Sequence, residues 1–125
     1  KFVLNFEQSH PYLVPHNQVL LGWVIENLIK NAIDATGGEG VIKVEMTAED
    51  EQLFIDVSDN GKGIPKSQFK NIFVPGFTTK TRGWGLGLPL AKRIIENYHM
   101  GKIYLRHSEL NVGSTFRIIL NHYSA

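Results

Sequence analysis

Glu26-Asn27-Leu28-Ile29-Lys30-Asn31-Ala32-Ile33-Asp34-Ala35 is the stretch whose reading decides this chain. Asn27 and Asn31 stand four residues apart inside an apolar, helix-periodic run, so a helix stacks both carboxamides on one face. An amide is a poor helix former, and burying one without a partner costs about 1–3 kcal/mol. Two on one stripe imply that something polar docks against them. Two glycine-rich turns follow: Asp59-Asn60-Gly61-Lys62-Gly63 and Gly83-Trp84-Gly85-Leu86-Gly87-Leu88. Of the 12 glycines, six fall between Gly61 and Gly87, so special backbone geometry is concentrated in one segment.

Around this segment the chain is ordinary. Its 125 residues suit one domain, able to bury roughly two-thirds of its unfolded surface. Thirteen basic against 12 acidic residues make a poor footprint for nucleic acid. Without cysteine there are no disulfides or thiolate metal sites, which is compatible with a reducing compartment. No apolar run approaches the ~18 residues of a membrane span, and no signal-peptide pattern is found. The expectation is a cytoplasmic domain, which is also compatible with a membrane-anchored parent.

Alternation makes Lys1–Phe6 a strand. Pro11 and Pro15 punctuate a loop, and Asn17 can cap a helix spanning about His16–Thr36. The expected core stripe of this helix is Val19, Leu20, Trp23, Val24, Leu28, Ala32 and Ile33. Glu26 and Lys30 read as a solvated i, i+4 pair. Val41–Thr47 and Leu53–Ser58 are strands joined by a polar hairpin connection, Ala48–Gln52. Asp59 continues the phase of Leu53, Ile55 and Val57, so its carboxylate points toward whatever covers the sheet. Pro65 suits the first turn of a helix over Pro65–Phe73. Val74–Trp84 lacks periodicity and reads as a mobile loop. A third helix runs from Gly85–Pro89 to about His99, with Leu88, Ala91, Ile94, Ile95 and Tyr98 inward and Gly101 past its end. Lys102–His107 and Ser114–Leu120 form a closing hairpin. The expected class is α+β: a two-layer sandwich whose five-stranded, mixed but mostly antiparallel sheet is covered on one face by three helices.

A carboxylate at Asp59 can accept from the exocyclic amine of adenine, and Gly61 and Gly63 clear space for a flat ring. By itself this turn is equally that of a capped surface turn. A calcium loop needs further acids at alternate positions, where Lys62 and Ile64 stand. Gly85 and Gly87 open a helix whose free N–H groups favour an anion, and Lys80 and Arg82 add positive charge upstream. A Walker loop and the three-glycine dinucleotide pattern are absent. Asn31 can offer its carbonyl oxygen to Mg²⁺ in a site already rich in phosphate charge.

Together these motifs resemble the ATP-binding catalytic domain of sensor histidine kinases. That domain belongs to a superfamily with gyrase-type topoisomerases, mismatch-repair MutL proteins and heat-shock chaperones. Asn27-Leu28 with Asn31-Ala32 is similar to the family N box, and Asp59, Gly61 and Gly63 to the G1 box. Phe73 with Phe77-Thr78-Thr79-Lys80 resembles the F box, Gly85-Leu86-Gly87-Leu88 the G2 box, and Gly113-Ser114-Thr115-Phe116 the closing glycine motif. Five boxes in order cover almost the whole chain and are highly specific.

The resemblance implies a Bergerat-type sandwich binding ATP and Mg²⁺ under a flexible lid over Val74–Trp84. It implies that Asn31 holds Mg²⁺, Asn27 lies by the phosphates, Asp59 binds adenine and Lys80 approaches the terminal phosphate. Gly85 and Gly87 would pack against the phosphate chain. Asp34, Ile64, Phe73, Thr79, Arg82, Leu86, Leu88, Ser114 and Phe116 complete the implied nucleotide-binding set, with Asn27 and Lys80 as the catalytic pair.

Departures from the family pattern matter equally. The phosphoacceptor box is a histidine followed by an acid. His10, His16, His99, His107 and His122 precede Pro11, Asn17, Met100, Ser108 and Tyr123 instead. The acceptor is therefore expected on a separate dimerisation and histidine-phosphotransfer domain. A response regulator is expected downstream, with this domain monomeric alone and the parent homodimeric. Trp84 is bulkier than the small residue expected there and reads as packing the lid, with stacking near the nucleotide as the alternative. Asn27 stands where ATPases of the superfamily carry a water-activating glutamate, and an amide has no such basicity. The implied activity is transfer of the γ-phosphoryl group of Mg·ATP to that histidine. The alternatives are a nucleotide-sensing module without transfer and an anti-sigma-type serine kinase.

Overall fold

The structure, a computed structural model, describes residues 2–6, 18–76 and 87–121. Strand β1 (Phe2–Phe6) is followed by helix α1 (Gln18–Thr36) and the strands β2 (Ile42–Glu49) and β3 (Gln52–Asp59). Helix α2 (Gly87–Arg93) continues as a π-helical stretch (Ile94–Tyr98), and β4 (Lys102–Glu109) and β5 (Gly113–Asn121) close the chain. The sheet has the order β1-β2-β3-β5-β4. β1 runs parallel to β2, and every other neighbouring pair is antiparallel. This is an α+β fold with an antiparallel sheet and helices. The parallel pair is the one whose connection contains α1, since parallel strands need a crossover rather than a hairpin.

Strand alternation sorts the side chains between two faces. Ile42 and Val44, Leu53, Ile55 and Val57, Phe116, Ile118 and Leu120, and Ile103 are buried and in register across the sheet. Val24, Leu28 and Ala32 of α1, with Ala91, Ile94 and Ile95 beyond Gly87, belong to the same buried cluster. α1 packs chiefly on β3, at the centre of the sheet.

Three expectations about the helices are corrected. Val19, Trp23 and Ile33 are exposed, while Leu21 and Ile25 pack on the core. A helix lying on a flat sheet buries only one arc. That arc follows Leu21, Val24, Leu28 and Ala32, and the three expected residues fall outside it. The expected helix at Pro65–Phe73 is a 3-10 turn (Lys66–Gln68) followed by further turns. Its bonds, Gln68 N–H to Pro65 O, Phe69 to Lys66, Asn71 to Gln68 and Val74 to Asn71, all span three residues, and Pro75 and Gly76 then end it. Among the described residues the covering layer is thus two helical segments and a short turn.

The third correction is at Tyr98, which is 67% exposed, whereas His99 is buried. The π-helical stretch has one extra residue in its turn, which shifts the inward phase from residue 98 to residue 99. The left-handed residue after this helix is Met100 (φ 52°) rather than Gly101. Gly101 is needed for another reason: a Cβ there would lie 2.3 Å from the carbonyl oxygen of Ile119.

The β2–β3 connection is tighter than expected. Only Asp50 and Glu51 lie between the strands, with φ of 50° and 64°. Two consecutive left-handed residues match the twist of a two-residue hairpin, a geometry that asparagine and glycine adopt with least strain. Glu51→Gly should therefore raise stability by roughly 0.5–1 kcal/mol. A higher urea midpoint with unchanged slope is the expected observation; an unchanged midpoint would show that no strain resides in this turn.

Candidate functional site

The site is built where α1, the end of β3 and the start of α2 converge. β3 ends at Asp59, which pairs with Ile42 of β2 and Ser114 of β5. In the phase of Leu53, Ile55 and Val57, Asp59 faces the helical layer, as its alternation predicts. Its Oδ1 accepts the Gly61 N–H at 2.8 Å. Burial pushes the Asp59 carboxyl above its ordinary value, while the N–H groups of Gly61 and Ser114 pull it partly back. A carboxylate has about four acceptor positions, so two backbone donors leave acceptor capacity for a ligand.

The turn after Asp59 is held from three sides. Lys62 N–H donates to Ala35 O near the end of α1 (3.0 Å), and Asn111 N–H of the β4–β5 connection donates to Lys62 O (2.8 Å). Ile64 N–H donates to Ser108 Oγ at 2.8 Å. The glycines are required by these contacts. A Cβ on Gly61 would lie 2.3 Å from Ala35 O, and one on Gly63, whose φ is +73°, 2.2 Å from Glu109 O. Asn60 points elsewhere: its Oδ1 accepts the Val41 N–H at 2.8 Å, tying the turn to β2.

Asn27 is half-buried on α1 and packs against the first residue of α2. A Cβ on Gly87 would sit 2.8 Å from Asn27 Oδ1. Asn27 Nδ2 is a buried donor without a hydrogen-bond partner, a state that costs about 1–3 kcal/mol. Asn31 lies one turn further along the same edge of α1, half-buried, and Asp34 is exposed beyond it. Glu26 and Lys30 form the expected solvated pair, 3.8 Å apart with side chains 66% and 70% exposed.

Phe73 and Phe116 meet edge to face with centroids 6.2 Å apart, and Lys92 Nζ lies 5.5 Å above the Phe73 ring. Ile64 and Leu88 pack on the core, and Ser114 is buried. Thr79, Lys80, Arg82, Gly85 and Leu86 lie outside the described residues, as do Trp84 and most of the expected lid. Among the described residues, no group of three or more His, Cys, Asp or Glu could hold a metal ion.

A shallow polar cleft opens beside the turn, lined by Ala35, Thr36, Glu39, Gly40, Asn60, Gly61, Lys62 and Asn111. Of the sequence-predicted residues that are described, only Gly61 borders it. Asn60, Ser108 and Asn111 were missed by sequence reasoning. A positive-φ asparagine in a hairpin tip is a weak signal for Asn111 (φ 64°), and nothing local marks Ser108. No described helix is long and apolar enough to cross a membrane.

A family model described as histidine kinase-, DNA gyrase B-, and HSP90-like ATPase matches residues 16–124. Sporulation kinase C of Bacillus subtilis (strain 168) is 34% identical over 116 residues, or 93% of this chain and 27% of that protein. Sensor histidine kinase ZraS of Escherichia coli (strain K12) is 44% identical over 97 residues, or 78% of this chain and 20% of that protein. The chain thus spans about a quarter of the length of these curated relatives. Among solved structures, a nucleotide-free form of the catalytic domain of histidine kinase ThkA is 36% identical with a TM-score of 0.81. That match covers 96% of this chain and 78% of the other. Mycobacterial sensor histidine kinase MprB has the same fold, with a TM-score of 0.84 at 23% identity, covering 98% of this chain and 81% of that one.

Proposed function

This chain belongs to the histidine kinase-, DNA gyrase B-, and HSP90-like ATPase family, and on that premise we propose that it binds Mg·ATP and donates the γ-phosphoryl group to a histidine on a separate dimerisation and phosphotransfer domain. In this reading it is the catalytic module of a two-component sensor kinase, acts in the cytoplasm, and a response regulator lies downstream. The observation that carries the reading is the opposite hydrogen-bonding character of Asp59 and Asn27. Asp59 is an acceptor facing the helical layer, suited to the exocyclic amine of adenine. Asn27 offers a buried amide donor with no partner, against the glycine that opens α2. One end of the site asks for a donor and the other for an acceptor such as a phosphate oxygen.

Phosphoryl transfer needs positioning and charge stabilisation more than covalent chemistry from the protein. Asp59 would orient the base, Asn27 the phosphates, and Asn31 the Mg²⁺, which supplies charge neutralisation when bound. Gly61 and Gly63 let the turn close under Ala35 and Glu109 without side chains in the way. Lys80, Thr79 and Arg82 would meet the phosphates from the lid. No base is assigned to Asn27, whose amide does not take a proton from water; the nucleophile comes with the acceptor domain.

The test is a radiolabelled ATP assay with the chain alone and then with the helical acceptor domain of its own parent. The chain alone should neither label itself nor turn ATP over. With the acceptor, acid-labile label should appear on its histidine. Lys80→Ala should slow transfer at least about tenfold while ADP binding changes far less, the pattern of a group acting mainly on the transferring phosphoryl. Strong hydrolysis by the chain alone would favour an ATPase. Acid-stable label on a partner serine would favour an anti-sigma-type kinase, and ATP binding without any transfer a nucleotide sensor.

A further inference from the structure

The residue that locks the Asp59–Ile64 turn is supplied by an irregularity on the far side of the sheet. Ile103 and Leu105 of β4 face the helical layer, opposite Ile118 and Phe116. Strict alternation would next turn His107 inward and Ser108 outward. The pairing instead jumps from Leu105↔Phe116 to His107↔Thr115, leaving Arg106 as the extra residue of a β-bulge. Arg106 is anchored on the opposite face, where its Nη1 meets Asp56 Oδ2 at 3.1 Å. The bulge exchanges the two residues: Ser108 now pairs with Ser114, which on its other side pairs with Asp59.

Ser108, Ser114 and Asp59 therefore form one row across three strands. Ser108 Oγ lies 2.8 Å from Ser114 Oγ. The same oxygen accepts the N–H of Ile64 at 2.8 Å. One end of the turn is fixed by the strand pairing of Asp59, and the other by this hydroxyl.

We propose that Ser108 is a positioning residue for base recognition: its hydroxyl clamps Ile64 and so holds the turn in which the Gly61 N–H aligns the Asp59 carboxylate. The inference rests on the adenine-binding role assigned to Asp59 above. Ser108 touches no reacting atom. Losing its hydroxyl leaves the partly buried Ile64 N–H without an acceptor and lets the turn shift, taking Gly61 N–H away from Asp59 Oδ1.

The test compares wild type with Ser108→Ala and with the isosteric pair Ser108→Thr and Ser108→Val, which separates the hydroxyl from the volume it fills. In the nucleotide-free chain, exchange of the Ile64 amide should be at least about tenfold faster in the Ala and Val variants, with the β3 amide of Ile55 unchanged. ADP should bind about tenfold more weakly in those two variants while GDP, the probe of non-adenine binding, changes little. Ser108→Thr should restore both readouts. Unchanged Ile64 exchange overturns the clamp. Faster exchange with an intact preference for ADP over GDP overturns the link to base recognition. If the Ala variant does not fold, the Thr and Val pair decides alone. If wild type shows no preference for ADP, the adenine reading of Asp59 falls and this role of Ser108 with it, while the exchange data still judge the clamp itself.

Discussion

Asp59→Asn should remove the preference for adenine nucleotides, weakening ADP binding about a hundredfold, and should also stabilise the nucleotide-free chain. Asparagine keeps an oxygen for the Gly61 N–H, which now meets Asp59 Oδ1 at 2.8 Å. It replaces the remaining acceptor by an N–H₂ group, and that donor would face the donor of the exocyclic amine. A charge-assisted hydrogen bond is lost and an unpaired donor is created. The stability effect follows from burial. Asp59 has a folded value raised above the ordinary 3.8. Its contribution to stability is therefore present below that ordinary value and is lost as pH rises through the raised one. Asparagine does not ionise and avoids that loss at neutral pH. Melting curves of mutant and wild type should separate at neutral pH and approach each other toward about pH 4. Calorimetry with ADP and GDP checks the specificity half. An unaltered ADP-to-GDP ratio would remove Asp59 from base recognition, and melting that is equal or lower at neutral pH would contradict the cost assigned to its burial.

The largest stability loss is expected on the opposite face of the sheet. Asp56 is buried there beneath two arginines. Arg117 binds it with both arms of its fork, Nε to Oδ1 and Nη2 to Oδ2, each at 2.8 Å, and Arg106 adds Nη1 at 3.1 Å. The Arg117 guanidinium also lies 4.8 Å from the centre of the Phe54 ring. The Asp56 carboxylate holds the Arg117 guanidinium well above its usual value. Side-chain exposures of 11% for Asp56 and 19% for Arg117 mean that little solvent would compensate a lost partner. Asp56→Ala should cost about 3 kcal/mol, since removing one partner strands the other in a poorly hydrated place. Out of a total stability on the order of 5–15 kcal/mol this is a large share, equivalent to a melting temperature lower by roughly 10 °C. Arg106, half exposed, contributes the smaller part. The exposed Glu26–Lys30 pair is the internal comparison: Glu26→Ala should cost no more than about 0.5 kcal/mol. Denaturant unfolding of both variants gives the answer, and a loss below about 1 kcal/mol for Asp56→Ala would refute the assignment.

Much of the site is legible along the chain because its geometry is periodic. A helix repeats every 3.6 residues, so Asn27 and Asn31 share an edge of α1 whatever that helix packs against. A strand repeats every two, so Asp59 follows Leu53, Ile55 and Val57 to the covered face. The turns announce themselves through glycines at Gly61 and Gly63, where backbone passes too close for a side chain. These features depend on local covalent geometry and on residue size, both of which are written in the sequence.

The rest was decided by contacts between distant segments. The inward place of Ser108 depends on a bulge whose extra residue, Arg106, is anchored by Asp56 from 50 positions away. The inward place of His99 in preference to Tyr98 depends on one extra residue in the last helical turn, where Ile94 O lies 3.0 Å from the His99 ring. Both irregularities shift the phase by one residue and reverse which neighbour faces the core. What the sequence by itself determined was the alternation within each uninterrupted element, and with it the placing of Asn27, Asn31 and Asp59. Only the tertiary structure decided where that alternation is interrupted, because an inserted residue is stabilised by partners brought close by folding, not by its neighbours along the chain.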